Sequence, residues 1–301
     1  MIWIPLAFAN AATMTIVNLA DSHLNSKRMP SLSAYLLPVS FIQLVVAIVL
    51  LVIFPLPQNG GVIPLLVLIG SGLMNGGVAA LTLNALRHGE VSRVIPVVTT
   101  SPIFIALFSI PLLGSMIGFL GWIGIILTVT GSVLISIQFG GSGQKMRLQK
   151  SFFVLILTAI MSAIAAIGFK YALRTYSFWD IQGVQGACIA IVFFAYSMRR
   201  STIDELKKLK HRTQLMAFTL GTQLLGIAGI TLLFAAVQNG PVSFVYAITN
   251  VRPVLIFLLT LVISRFYPAF LNERLTKTTV LTKLVAVLIV TAGVVIIRLS
   301  V

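Results

Sequence analysis

The sequence is poor in charged residues and in the residue types that build catalytic and metal sites. Of its 301 residues, 9% are charged, six are acidic, three are histidine and one is cysteine. A single cysteine, Cys188, excludes an internal disulfide and a cysteine metal cluster, and we expect it to be a small buried side chain. The histidines His23, His88 and His211 lie in or beside loops, so they form no predicted cluster. Without a Gly-rich phosphate loop carrying a lysine, neither nucleotide hydrolysis nor a cofactor is expected.

Hydrophobic residues are abundant, at 58% of positions, and the mean hydropathy is +1.06. This composition is typical of a chain whose solvent is lipid. Apolar runs of about 20 residues, the length that crosses a bilayer as a helix, follow one another with short breaks. They are apolar at consecutive positions, whereas barrel strands alternate. We predict an all-α polytopic membrane protein with about ten transmembrane helices, at 2–20, 32–54, 62–86, 91–113, 116–138, 151–173, 178–197, 214–237, 241–264 and 278–298.

Lysine and arginine are distributed unevenly between the two sides of such a protein. With ten spans, 17 of the 21 basic residues fall in loops or span ends opposite the N-terminus, three fall on its own side, and Arg252 lies inside a span. The positive-inside rule then makes the basic loops cytoplasmic and puts both termini outside a plasma (inner) membrane. The net charge of +15 is therefore a topology signal, not a nucleic-acid site. The tryptophans fall at the outer boundary, as interfacial anchors do: Trp3, Trp122 and Trp179.

Two further expectations concern the loops and the first span. No basic segment precedes the first apolar run, so we predict a retained span and not a cleaved signal peptide. The longest polar stretches, 140–150 and 199–212, are predicted to be loops. The second of these either rests on the anionic inner leaflet, where basic residues gain electrostatic attraction, or extends into solvent.

The chain repeats itself at an offset of 151 residues. The third and fourth spans then overlie the eighth and ninth, and the matches include Gly70 with Gly221, Gly89 with Gly240, Val91-Ser92 with Val242-Ser243, and Pro102 with Pro253. Because five is an odd number, a second five-helix copy enters the membrane from the opposite side. Its basic loops follow its second and fourth helices, whereas those of the first copy follow the first and third. We predict two inverted five-helix repeats, 1–140 and 141–301.

A family resemblance rests on two paired turns, His88-Gly89-Glu90-Val91-Ser92 and Asn239-Gly240-Pro241-Val242-Ser243, on the equivalent prolines, and on Asn272-Glu273-Arg274-Leu275 before the last span. In these features the chain resembles the EamA branch of the drug/metabolite transporter superfamily over nearly its whole length. The resemblance implies a multi-pass transporter of small molecules with a central cavity between its repeats. Family members commonly begin inside the cell, so our orientation rests on the charge count.

The most informative residue is Arg252, near the middle of the ninth span. An arginine at that depth costs at least roughly 2.5 to 3.5 kcal/mol, so it should face a polar interior and find a partner. Each of the six acidic residues is predicted at or beyond a membrane boundary. Two interpretations stay open: Arg252 binds an anionic group of the substrate bidentately, or it is hydrogen-bonded to protein carbonyls and polar side chains. The resemblance implies a basic ninth-helix residue like that of phosphate-carrying relatives, although Val251 replaces their usual lysine.

Other polar side chains at similar depth are candidates for substrate binding, on helices that line the cavity in the resembling family. Each one alone is equally compatible with an ordinary hydrogen bond between helices. They are Asn10, Thr13, Asn75, Thr99, Thr100, Ser101, Gln223, Thr249 and Asn250.

Four residues are candidates for gating. Pro102 and Pro253 each free a carbonyl one turn earlier, which permits either a hinge or a static kink. Lys170 and Asp21 occupy equivalent places at the outer and inner ends of their spans. They are either charge gates or, for Lys170, a side chain that reaches the interface.

These features favour a membrane transporter of a small anionic or zwitterionic metabolite that works by alternating access. Exchange or facilitated flux is expected, because no titratable carboxylate or histidine is predicted deep in the membrane. The main alternative is a translocator (flippase) of a phosphate-bearing lipid carrier that uses the same cavity. A membrane enzyme acting on lipid is disfavoured, because the chain shows no nucleophile paired with a base. A non-transporting scaffold is a further alternative, and it predicts that Arg252 is packed against protein. The expected partners are the solute and membrane lipid, in a monomer or homodimer, with no nucleic acid.

Overall fold

The computed structural model describes residues 2–57, 60–87, 99–136, 150–209, 211–266 and 277–300. Within these ranges the regular structure is helical throughout and contains no strand. A short π-helix, Leu24–Arg28, continues the first α-helix. The α-helices are α1 (Trp3–His23), α2 (Leu32–Ile53), α3 (Val62–Arg87), α4 (Ser101–Leu113), α5 (Phe119–Ser136), α6 (Lys150–Ala172), α7 (Phe178–Ser197), α8 (Arg200–Lys207), α9 (Arg212–Asn239), α10 (Val242–Thr249), α11 (Arg252–Phe266) and α12 (Lys277–Leu299).

The predicted all-α membrane protein is confirmed at the level of its apolar helices. Seven helical segments of the described chain are long and apolar enough to cross a bilayer, and three shorter apolar helices, in α4, α5 and α6, accompany them. The count of ten spans stays a prediction. The turn at 88–92 and the segment 272–275, on which part of the family resemblance rests, lie outside the described residues.

Local sequence explains where several helices begin and end. Ser31 caps α2, because its hydroxyl accepts a hydrogen bond from the Ala34 backbone N–H at 3.0 Å. At the start of α7, Ser177 and Asp180 form a reciprocal capping box. Gly114 ends α4 in the left-handed conformation, with φ of 69°, which a residue without Cβ adopts at little cost.

Helices α5 and α12 pack closely through glycines. A Cβ added at Gly131 would lie 2.6 Å from Val290 Cγ2, and one at Gly124 would lie 2.7 Å from Ile297 Cγ1. Small residues allow this approach, which favours helix association in lipid. The residue numbers of the contacts increase in opposite directions, so the two helices are antiparallel.

The same arrangement recurs between α2 and α7. The space for a Cβ at Gly183 is bordered by Leu51, and that at Gly186 by Ala47. These two helices are therefore also antiparallel. In addition, α1 packs against α9 and α3 against α6, which is the same pairing with the two halves exchanged. The contacts thus follow a two-repeat structure. The second predicted span packs against the seventh, which is its equivalent in the other repeat, and the fifth packs against the tenth in the same way.

Two details of the sequence prediction are corrected. The stretch 199–212, predicted to be a loop, contains the helix α8, whose Thr202 is buried. Ile203 and Leu206 give α8 an apolar side among charged residues, which is why it forms a helix against the bundle. The ninth span, predicted at 241–264 as one helix in which Pro253 permits a kink, is divided into α10 and α11 by a turn at Asn250 and Val251.

Candidate functional site

The division of the ninth span coincides with a proline. Arg252 is the first residue of α11 and Pro253 the second. Proline lacks a backbone N–H and has a fixed φ, so it is well tolerated in the first turn of a helix and disfavoured in the middle. Helix α4 begins in the same way, at Ser101 with Pro102 next, after a turn at Thr99 and Thr100. The prolines expected to allow kinks therefore start helices at repeat-equivalent positions.

The two turns are joined directly. The Asn250 side-chain amide donates a hydrogen bond to the carbonyl of Thr99, its equivalent in the other repeat. The Asn250 carbonyl in turn accepts one from Ser132 Oγ on α5, at 2.7 Å. The side chain of Asn250, predicted to bind substrate, thus connects the two helix breaks, which are the turns before α4 and α11.

Arg252 is linked to the other repeat through Asn10 on α1. Its Nη2 donates to Asn10 Oδ1 at 2.8 Å, and Asn10 Nδ2 donates to the carbonyl of Gly229 on α9 at 2.7 Å. Asn10 is fully buried, whereas Arg252 keeps partial exposure inside the bundle. This contact brings the two residues together, and their predicted role in binding a solute stays a prediction.

Most of the hydrogen-bonding capacity of Arg252 is unused within the described residues. A guanidinium has five N–H donors, and the bond to Asn10 occupies one of them. Arg252 Nε is buried and has no hydrogen-bond partner there. A planar anion could therefore accept hydrogen bonds from Nε and from the second N–H of Nη2.

A second polar group, which we call the amide cluster, consists of Gln43, Asn75, Gln182, Gln185 and Gln223. It joins α2, α3, α7 and α9. Gln43 donates to Gln223 at 3.4 Å, and Asn75 donates to Gln185 at 3.3 Å. Gln182 accepts a hydrogen bond from Thr231 at 2.8 Å. Most of these amides are thus satisfied by one another or by neighbouring hydroxyls in the apolar interior.

Sequence reasoning found Asn75 and Gln223 but missed the other three amides of this cluster. The available signal was the spacing of Gln182 and Gln185, which puts two amides on one face of an apolar span. The contacts also separate two sets that the prediction had combined. Asn75 and Gln223 belong to the amide cluster, whereas Asn10 and Asn250 lie at the helix breaks.

The cluster extends to Asp21 near the end of α1. Gln223 donates to the Tyr35 hydroxyl at 3.4 Å, and Tyr35 hydrogen-bonds to Asp21. The Oδ1 atom of Asp21 is buried and has no hydrogen-bond partner among the described residues. Asp21 is thus packed against α2 at this end of the bundle.

Lys170 binds backbone carbonyls at the other end of the bundle. Its Nζ donates to the carbonyls of Val237, Gln238 and Gly240, with distances of 3.4 Å to Gln238 and 3.1 Å to Gly240. These are carbonyls at the C-terminus of α9, where a helix dipole favours a cation. The side chain therefore contacts the end of α9, and its role as a gate or as an interfacial residue stays a prediction.

The remaining candidates have local contacts. Thr249 donates to the carbonyl of Tyr246 in its own helix at 2.9 Å, and Thr13 faces Gly229 across the α1–α9 contact. Ser101 is buried and Thr100 partly so. Cys188 is buried and free, and no group of three potential metal ligands occurs among the described residues.

The fold and this interior define a class: a polytopic helical membrane protein of two repeats, with broken helices and polar side chains between them. The sequence matches the model of the EamA-like transporter family twice, at residues 1–137 and 149–299. The chain belongs to this family, which is part of the drug/metabolite transporter superfamily. No curated protein matches it.

Solved structures resemble the chain in fold. Twenty-two chains match. One of them, a crystal structure of a protein at 16% identity, superposes with a TM-score of 0.68 and covers 99% of this chain and 97% of its own. At this identity the likeness concerns the fold alone.

Proposed function

We propose that the protein carries a small anionic or zwitterionic solute across the membrane, with Arg252 binding its negative group. The family consists of membrane transporters of small solutes, and the choice of an anion rests on Arg252. This cation is held by a neutral partner, Asn10, and its Nε donor is buried and unused within the described chain. An interior arginine that lacks a carboxylate partner is better stabilised when an anion completes its hydrogen bonds.

We further propose transport by alternating access between two inverted repeats. Support comes from the antiparallel packing of α2 with α7 and of α5 with α12, which is expected when one copy runs upside down relative to the other. Discontinuous helices that meet at the repeat interface are a common setting for solute sites in such transporters. Here the turns before α4 and α11 are joined by the hydrogen bond from Asn250 to Thr99, and Arg252 is two residues after Asn250 in the chain.

In this proposal Asn10 positions the guanidinium, while Asn250 and Thr99 connect the two breaks. Thr13, Thr100, Ser101 and Thr249 remain proposed neighbours of the solute, and Pro102 and Pro253 proposed hinges. We assign Lys170 and Asp21 to the two ends of the path. The basic loops are assigned to the cytoplasm, and the energy source to exchange or facilitated flux.

The alternative, translocation of a phosphate-bearing lipid carrier, would bring a head group to Arg252 through an opening between spans. A cleft between α2 and α9 does open at the side of the bundle, but Arg252 is not among the residues that line it. This cleft therefore gives no support to the lipid alternative, and the choice of a small solute rests on the family.

The proposal is tested by uptake into proteoliposomes of a panel of labelled carboxylates, amino acids and inorganic phosphate. We expect wild-type protein to carry at least one anionic member and Arg252→Ala to lose most of that uptake. Arg174→Ala is the matched control, because Arg174 is an exposed arginine that likewise donates a hydrogen bond, in its case to the backbone carbonyl of Leu113 at 3.3 Å. Equal uptake by the Arg252→Ala variant and the wild type would refute the role of Arg252.

A further inference from the structure

A cleft of about 510 Å³ lies between α2, α8 and α9, at the end of the bundle where α2 and α9 begin. Its walls are apolar and include Pro38, Phe41, Ile203, Leu206, Met216 and Leu220. Phe41 is 52% exposed and Leu220 is 45% exposed. In a membrane-spanning helix, such side chains meet lipid hydrocarbon. Because the surface here is concave, it can surround an acyl chain.

Two cations complete the cleft at its polar end. Lys207 is the last residue of α8 and Arg212 the first of α9, and both line the cleft. Both are exposed, and neither forms a hydrogen bond or ion pair within the part of the chain that the structure describes. A guanidinium and an ammonium above an apolar groove match a lipid phosphate above its acyl chains.

The position of α8 is fixed by specific contacts. Ser31, at the start of α2, donates a hydrogen bond to the Glu205 carboxylate, and Thr202 is buried. Ile203 and Leu206 are thereby held in the wall of the cleft. Lys207 is thus presented at the rim by a helix attached to the bundle, and Arg212 by α9, of which it is the first residue.

We propose that this cleft binds a phospholipid with an anionic head group, whose acyl chain lies between α2 and α9 and whose head group lies between Lys207 and Arg212. The charge of the rim selects the head group. Since α2 and α9 come from different halves of the chain, the lipid contacts both repeats. This site is separate from Arg252, and the proposal does not depend on solute transport.

The test measures binding of phosphatidylglycerol and phosphatidylcholine to the delipidated full chain in detergent, by native mass spectrometry and by the shift in melting temperature. Wild type should prefer phosphatidylglycerol and melt at a higher temperature with it. In the Lys207→Gln/Arg212→Gln variant, the loss of two interfacial cations should weaken phosphatidylglycerol binding by about thirtyfold. Arg200→Gln/Lys208→Gln removes the same charge from exposed positions outside the cleft and should bind like wild type.

A second variant tests the groove without changing its charge. Met216→Trp should fill the cleft and reduce lipid occupancy while Lys207 and Arg212 remain. Three results would each overturn the proposal: equal binding of the two lipids, wild-type binding by the Lys207→Gln/Arg212→Gln variant, or spectra that show a second copy of the chain in place of lipid.

Discussion

Replacing Asn10 with aspartate should give Arg252 an anionic partner within the protein, which competes with a bound anion. Asn10 Oδ1 is 2.8 Å from Arg252 Nη2, and aspartate has the same shape as asparagine. Its carboxylate would therefore take the same position and add a full negative charge. Two unit charges about 4 Å apart attract by about 4 kcal/mol at an effective dielectric constant of about 20. Even if solvent screening halves this value, a ligand anion competing for Arg252 would lose about thirtyfold in affinity.

The assay is calorimetric titration of purified protein with the best-binding anion among acetate, succinate, L-glutamate and inorganic phosphate. The matched control is Asn10→Leu. Both variants lose the amide that donates to the Gly229 carbonyl at 2.7 Å, so the difference between them reports the carboxylate that faces Arg252, with its charge and its hydrogen bond. We expect Asn10→Leu to retain measurable binding and Asn10→Asp to lose it. Undiminished anion binding by the aspartate variant would show that the ligand does not use Arg252.

Three other predictions concern stability in detergent, measured by thermal melting. Gly131→Ala should lower the free energy of unfolding by about 1 to 3 kcal/mol, because its Cβ would overlap α12. Gly221→Ala is the control and should not destabilise the protein, because no atom lies within 4 Å of its Cβ position. Equal melting temperatures of the two variants would refute the close contact. Lys170→Met should lower the melting temperature by removing charged hydrogen bonds, each contributing about 1.5 to 3 kcal/mol, while leaving anion affinity unchanged. Asp21→Asn should be neutral or stabilising, because Asp21 Oδ1 is buried and has no hydrogen-bond partner among the described residues. A marked loss of stability would indicate a cationic partner.

The helical class was predictable because lipid leaves few choices for the backbone. Long apolar runs must satisfy their backbone hydrogen bonds internally, so they form helices whatever their neighbours are. The internal repeat was equally accessible, since Pro102 and Pro253 match at a fixed offset. The sequence predicted that the two prolines disturb their helices, but not that a new helix begins at each. Each begins a new helix, and whether the chain kinks or breaks depends on polar partners such as Thr99, which no local pattern specifies.

The partners of the buried polar residues were the least predictable feature. Arg252 and Asn10 are 242 positions apart, and their contact follows from the packing of α1 against the second repeat. Gln182 and Gln185 were overlooked, although Asn75 and Gln223 of the same cluster were found, because the sequence does not specify which helices α7 contacts. The helix α8 was also missed, since eight residues with several charges resemble a loop until Ile203 and Leu206 are seen against the bundle.

The central claim, that Arg252 is an anion site, is tested most directly by titrating the same four anions into wild type, Arg252→Ala and Arg174→Ala. We predict that at least one anion binds wild type and Arg174→Ala alike. Its affinity for Arg252→Ala should be lower by a factor of at least about ten, as expected when a charged hydrogen bond of about 1.5 kcal/mol is lost. Binding of that anion to Arg252→Ala with the wild-type affinity would contradict the account.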